Sequence, residues 1–187
     1  MDLRTKKTLS SIRNTFIELR SKKPLSKITV KELTEKALIS KPTFYLHYKD
    51  IYDLADSMEN EIIDNIISSY PLDFENNNSP YTNWLTSLIQ AFISQDHLLH
   101  ILFSADRKPI FVTKLNSAFK EHLYKIYPHF KDNINLKIYL DFAVNGTFQA
   151  YMQNINLTQD KLTNMLVLFN EHLFNSIYEL IIDSSKK

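Results

Sequence analysis

One glycine in 187 residues constrains this chain more than any other feature of its sequence. Loops that wrap a phosphate in backbone N–H groups, the dinucleotide fingerprint and the P-loop among them, need two or more glycines close together. Neither can be built here. Tight hairpins of the Asn-Gly type need a residue that accepts positive φ, and the only Asn-Gly pair, Asn145-Gly146, lies inside a helical-looking run. Helix is what remains, and 44% apolar residues are enough for a sizeable core. The absence of cysteine removes disulfides, cysteine zinc sites and thiol nucleophiles, and it fits a reducing cytoplasm.

Apolar residues step by three and four nearly everywhere. Leu9, Ile12, Phe16 and Leu19 predict a helix over roughly 5–21, closed by Pro24. Thr29-Val30-Lys31-Glu32 reads as a capping box opening a short helix that ends near Lys36–Ala37. Ser40 is an N-cap for a third, with Pro42 tolerated in its first turn. Asp50 caps a long fourth helix whose stripe is Leu54, Met58, Ile62 and Ile66. Residues 71–80 read as a loop, after which Ser79-Pro80 restarts a helix carrying Trp84, Leu88 and Phe92. Further helices are expected over Asp96–Phe103, about 107–127 up to Pro128, about 133–154, and about 158–182 behind a Thr158 cap. The expected class is all-α with about nine helices. A helix-turn-helix head over residues 1–49 precedes a larger helical body over 50–187.

The charged N-terminus leads into no apolar targeting segment, and the purest apolar run, Met165–Phe169, is far short of the roughly 20 residues that span a bilayer. A soluble cytoplasmic chain is expected. The net charge of +1 hides a polarity: residues 1–50 carry 12 Lys/Arg against 5 Asp/Glu, whereas residues 51–187 carry 10 against 16. A basic head on an acidic body suits a surface that meets a polyanion.

The chemistry concentrates in residues 29–48. Two short helices joined by a three- to four-residue turn, with Val30, Leu33, Ala37, Ile39 and Phe44 placed to pack inward, make the helix-turn-helix plan. So small a unit hides few polar side chains, so Ser40, Lys41, Thr43, Tyr45, His47 and Lys49 must largely face outward. The strings Thr29-Val30-Lys31-Glu32-Leu33 and Ala37-Leu38-Ile39-Ser40-Lys41-Pro42-Thr43-Phe44-Tyr45-Leu46-His47-Tyr48-Lys49-Asp50 resemble the DNA-binding signature of TetR-type transcriptional regulators. The resemblance is detailed over residues 5–60 and only architectural beyond.

The resemblance implies that Thr29 meets phosphate, that Lys41, Pro42 and Thr43 touch base edges, and that Tyr45, His47 and Lys49 grip phosphates. Phe44 and Tyr48 would hold the small domain together. The sequence departs from the pattern twice, with Leu38 where the turn usually has glycine and Pro42 where the recognition helix often has it. A residue tolerant of positive φ would be easier at Leu38. Pro42 can give a base only apolar contact.

For the body the resemblance implies a homodimer made by the last two long helices. Apolar Ile138, Phe142, Phe148 and Tyr151, then Leu162, Leu166, Phe169, Leu173 and Ile177, exceed what one buried stripe needs. Gly146, costly in a helix interior, suggests close approach of another helix, its symmetry mate, so Gly146, Tyr151, Phe169 and Leu173 are the expected interface. The middle helices would hold an effector of unknown class, with Met58, Ile62, Trp84, Leu88, Phe92, Phe103, Phe111, Phe119, Leu123 and Tyr139 as candidate lining; each of these also fits ordinary core. An effector that prefers the two heads further apart would weaken operator binding.

Catalysis finds no support. His97 and His100 lie near Asp96 but lack a third ligand in sequence, no nucleophile elbow is present, and the carboxylate pairs Asp53/Asp56 and Glu59/Glu61 read as solvated. No enzyme, cofactor or metal is expected. The leading expectation is a dimeric regulator of double-stranded operator DNA, more often a repressor. An activator working through a partner protein and a helical sensor or scaffold without DNA binding are the alternatives, and the basic head disfavours the last.

Overall fold

The computed structural model describes residues 2–68, 89–102, 107–154 and 156–184. Among the described residues there is no strand. Eight bounded helices run through the described residues: α1 (Leu3–Arg20), α2 (Val30–Lys36), α3 (Lys41–Tyr45), α4 (Ile51–Ser68), α5 (Asp96–Leu102), α6 (Lys108–Ile126), α7 (Ile134–Gln153) and α8 (Gln159–Ser184). Residues 89–94 are also helical, and single 3-10 turns occupy Leu25–Lys27 and Pro128–Phe130. The all-α architecture with about nine helices is thus observed, its edges falling within a few residues of the sequence expectation.

Helices α2, α3 and α4 begin at side-chain caps. Thr29 accepts a hydrogen bond from the Glu32 N–H at 3.2 Å, Ser40 from the Thr43 N–H at 3.2 Å, and Asp50 from the Asp53 N–H at 2.8 Å. The carboxylate of Glu32 pairs with Lys23.

By internal contact the chain forms two units, Met1–Ile62 with Asp96–Lys108, and Ile63–Gln95 with Pro109–Lys187. The first unit therefore reaches past the division expected at residue 49, taking in most of α4 and the segment that holds α5. Two buried arginines show why. Arg20 of α1 donates to the Leu102 carbonyl at 2.9 Å, closing the end of α5 onto the head. Arg107 donates to both carboxylate oxygens of Glu59 on α4, each at 2.7 Å, and also pairs with Asp56. Glu59 was expected to be solvated; its side chain is 1% exposed. Its partner lies 48 residues away in the chain, beyond the reach of local pattern. The paired Glu59 carboxylate, above all, holds the Arg107 guanidinium charged beyond its already high ordinary range.

The second unit is organised by α7 and α8, which pack against each other. Asn133, buried, caps α7 through the Leu136 N–H at 3.0 Å and donates to the Ile181 carbonyl of α8 at 2.6 Å. Asn170 donates across to Thr147 Oγ1 at 2.9 Å. Asp141 of α7 accepts from Asn116 and Lys120 of α6. Partial burial opposes its ionisation, but those two hydrogen bonds outweigh it and hold the carboxyl below its usual range. Among the described residues no helix is long and apolar enough to cross a membrane.

Candidate nucleic-acid interface

The head is assembled around Phe44. That ring is fully buried together with Ile12 and Phe16 of α1 and Leu33 of α2, and it lies 5.8 Å from Tyr48. Ser11 of α1 donates to the Ala37 carbonyl at 3.0 Å, pinning the C-terminal end of α2. Glu18 bridges α1 to α2: hydrogen bonds from Lys22 and then Lys36 push its carboxyl down to about 2. Tyr48 is half-buried, and that burial raises its hydroxyl pKa.

The turn between α2 and α3 closes by two hydrogen bonds, Leu38 N–H to the Glu35 carbonyl at 3.4 Å and Ile39 N–H to the Thr34 carbonyl at 3.0 Å. This 5→2 and 6→1 pair is the Schellman motif, whose penultimate residue must take a left-handed conformation. Leu38 does so, at φ 55°. The sequence departure at Leu38 therefore has a geometric consequence. A left-handed conformation costs an L-residue roughly 1–2 kcal/mol. Because Leu38 is 91% exposed, its side chain recovers almost none of that by packing. Leu38→Gly should raise the unfolding free energy by about 0.5–1 kcal/mol, read by thermal or urea melting; a loss of stability would show that Leu38 packs somewhere.

With Phe44 turned inward, α3 presents its opposite side to solvent. Ser40, Lys41, Pro42, Tyr45 and Lys49 are exposed, and Thr43 and His47 are half-buried. Thr29 is exposed at the start of α2. Ser40 Oγ lies 2.7 Å from Thr43 Oγ1 and also accepts from the Thr43 N–H, so the two hydroxyls are already bonded to each other. Residues 36–49 hold Lys36, Lys41 and Lys49 and no carboxylate. The arrangement offers a polyanion a short helix with one lysine, a phenol and an apolar proline exposed, with Lys36 before it and Lys49 after it.

In the second unit the expected effector lining divides. Phe92 is buried against Phe148 at 6.1 Å and Tyr151 at 6.4 Å, while Phe111 meets Phe148 at 5.4 Å. Phe119 and Leu123 are buried on α6. Tyr139 belongs to a separate group with Phe174 at 5.5 Å, and with Leu173 it lines an open apolar groove of about 280 Å³ that includes Ile138, Phe142 and Leu180. Met58 is buried in the first unit, and Ile62 is the last residue of that unit's first stretch. Trp84, Leu88 and Phe103 lie outside the described residues, as does the side chain of His97. Among the described residues no three His, Asp or Glu side chains gather as metal ligands would.

The expected interface residues divide as well. Phe169 is 60% exposed, Leu173 is half-buried, and Gly146 is exposed, with nothing among the described residues within 4 Å of the space a Cβ would fill. Tyr151 is different: at 5% exposure it belongs to the protomer's own core, held beside Phe92. Sequence reasoning did not single out Ile134, Met165, Leu168 and Leu180, which extend the exposed apolar surface of α7 and α8.

No protein-family model matches the chain, and no curated protein does. Among solved structures it is similar to a crystal structure of a tetR-family transcriptional regulator from Streptomyces coelicolor, with 12% identity and a TM-score of 0.64, over 100% of this chain and 89% of the other. At that identity the likeness speaks for architecture, and the chain has a TetR-like fold.

Proposed function

We propose that the chain is a homodimeric, sequence-specific DNA-binding transcriptional regulator, a repressor that leaves its operator when a small molecule binds the helical body. The observation that carries this reading is the outward side of α3: Lys41, Pro42 and Tyr45 exposed over a buried Phe44, in a stretch with no carboxylate. A helix so presented fits a major groove. There Lys41 meets guanine acceptors or phosphate, Pro42 meets only apolar edges, and Thr29, Tyr45, His47 and Lys49 meet phosphates.

One such head has too little area and charge for specific binding alone, so two are needed on neighbouring turns of the duplex. The exposed apolar surface of α7 and α8, with Phe142 and Phe169 on it, supports pairing through those helices. Gly146 fits the same surface: a Cβ there would meet nothing within 4 Å among the described residues, which leaves room for the close approach of a second chain.

The head is tested by gel shift against the DNA upstream of the chain's own gene. Lys41→Ala combined with Tyr45→Ala should weaken specific binding by roughly 2–4 kcal/mol, about 30- to 1000-fold, since good base or phosphate contacts contribute about 1–3 kcal/mol each. Binding by the unaltered protein should fall steeply with salt as counterions return to the phosphates. Unaltered binding by the double variant, or a flat salt dependence, sinks the assignment of α3.

A further inference from the structure

Leu38 poses a problem that the fold alone does not solve. It holds a left-handed backbone at φ 55°, which glycine or asparagine would adopt with less strain. Its side chain is 91% exposed, so packing within the chain does not compensate. Strain that is kept without internal return points outward, to something the side chain touches in use. The surroundings limit what that can be. Leu38 is two residues from Ser40, the cap of α3, and the stretch from Lys36 to Lys49 carries three lysines and no carboxylate. A surface of that charge suits a polyanion, and the apolar matter that duplex DNA shows in its major groove is the C5-methyl group of thymine.

We propose that Leu38 is a specificity-determining residue that packs on a thymine methyl at the edge of the sequence contacted by α3. This rests on the reading that α3 binds DNA. Leu38 and Pro42 would then form two apolar readers flanking the charged Lys41, so that the recognised sequence is set partly by methyl groups. The left-handed turn is what carries the Leu38 side chain clear of the protein, and the strain is the cost of that presentation.

The test uses duplexes selected from a random-sequence pool by the full-length protein, then resynthesised with uracil in place of each thymine in turn. Uracil lacks only the methyl group. At one position per half-site the native protein should bind the uracil duplex about fivefold more weakly, the factor expected for one buried methyl. Leu38→Gly and Leu38→Asn should bind the thymine duplex about fivefold or more weakly and be indifferent to uracil there, while melting no lower than the native protein. Leu38→Met, which keeps an apolar side chain, should restore both the affinity and the uracil effect. Glycine and asparagine variants that bind the thymine duplex as tightly as the native protein overturn the proposal and leave DNA binding through α3 standing. A native protein indifferent to uracil at every position also overturns it. If no duplex can be selected at all, the DNA-binding reading falls, and this proposal falls with it.

Discussion

Arg107→Met should lower the unfolding free energy by about 3–5 kcal/mol, because it leaves the Glu59 carboxylate buried without its main partner. Arg107 and Glu59 are joined by two hydrogen bonds of 2.7 Å, with side chains 10% and 1% exposed. Asp56, also bonded to Arg107, is nearly half exposed and can turn to water. The penalty therefore comes chiefly from Glu59. The same reasoning predicts that Arg107→Met together with Glu59→Leu recovers most of the loss, since replacing both ions by apolar groups removes the desolvation cost along with the attraction. Urea unfolding of the two single variants and the double variant, followed by far-UV circular dichroism at neutral pH, closes the cycle. A single variant within about 1 kcal/mol of the native protein would mean that water reaches Glu59.

Phe142→Asp should convert the proposed pair to protomers, raising its dissociation constant by two orders of magnitude or more. Phe142 is 67% exposed and lines the apolar groove between α7 and α8. Burying such a ring contributes about 1.5–3 kcal/mol, and two-fold symmetry counts the loss twice. A carboxylate placed there adds the cost of stripping its water. Gly146→Leu is the companion test. A Cβ at Gly146 would meet nothing within 4 Å among the described residues, and removing a mid-helix glycine strengthens α7 by up to about 1 kcal/mol. Dissociation by Gly146→Leu without loss of helix stability would therefore report the interface alone. Sedimentation velocity at micromolar concentration reads both variants; a dimer undisturbed by either places the partner surface elsewhere.

What was legible in the sequence is what local chemistry decides. Thr29, Ser40 and Asp50 were readable as caps because each serves an N–H three residues on. The strain at Leu38 was readable through the resemblance, because the pattern it follows usually has glycine at that turn position. Glu59 was misjudged because its neighbours in sequence are polar while its partner in space is Arg107. Along α7 the difficulty was of another kind. Apolar residues lie on several sides of that helix, so periodicity could not separate Tyr151 and Phe148, turned to the core, from Ile138 and Phe142, turned out.

The uncovered side of α7 and α8 also bears on quantity. The two helices that expose Ile134, Ile138, Phe142 and Phe169 also supply Leu136, Leu140 and Leu166 to their own unit's core. If they pair, folding of that unit and assembly of the dimer are linked, and the melting temperature rises with protein concentration. At low abundance the number of paired heads then grows with the square of the protomer concentration. Occupancy of a DNA site would respond to the protein's own dosage as a threshold rather than in proportion.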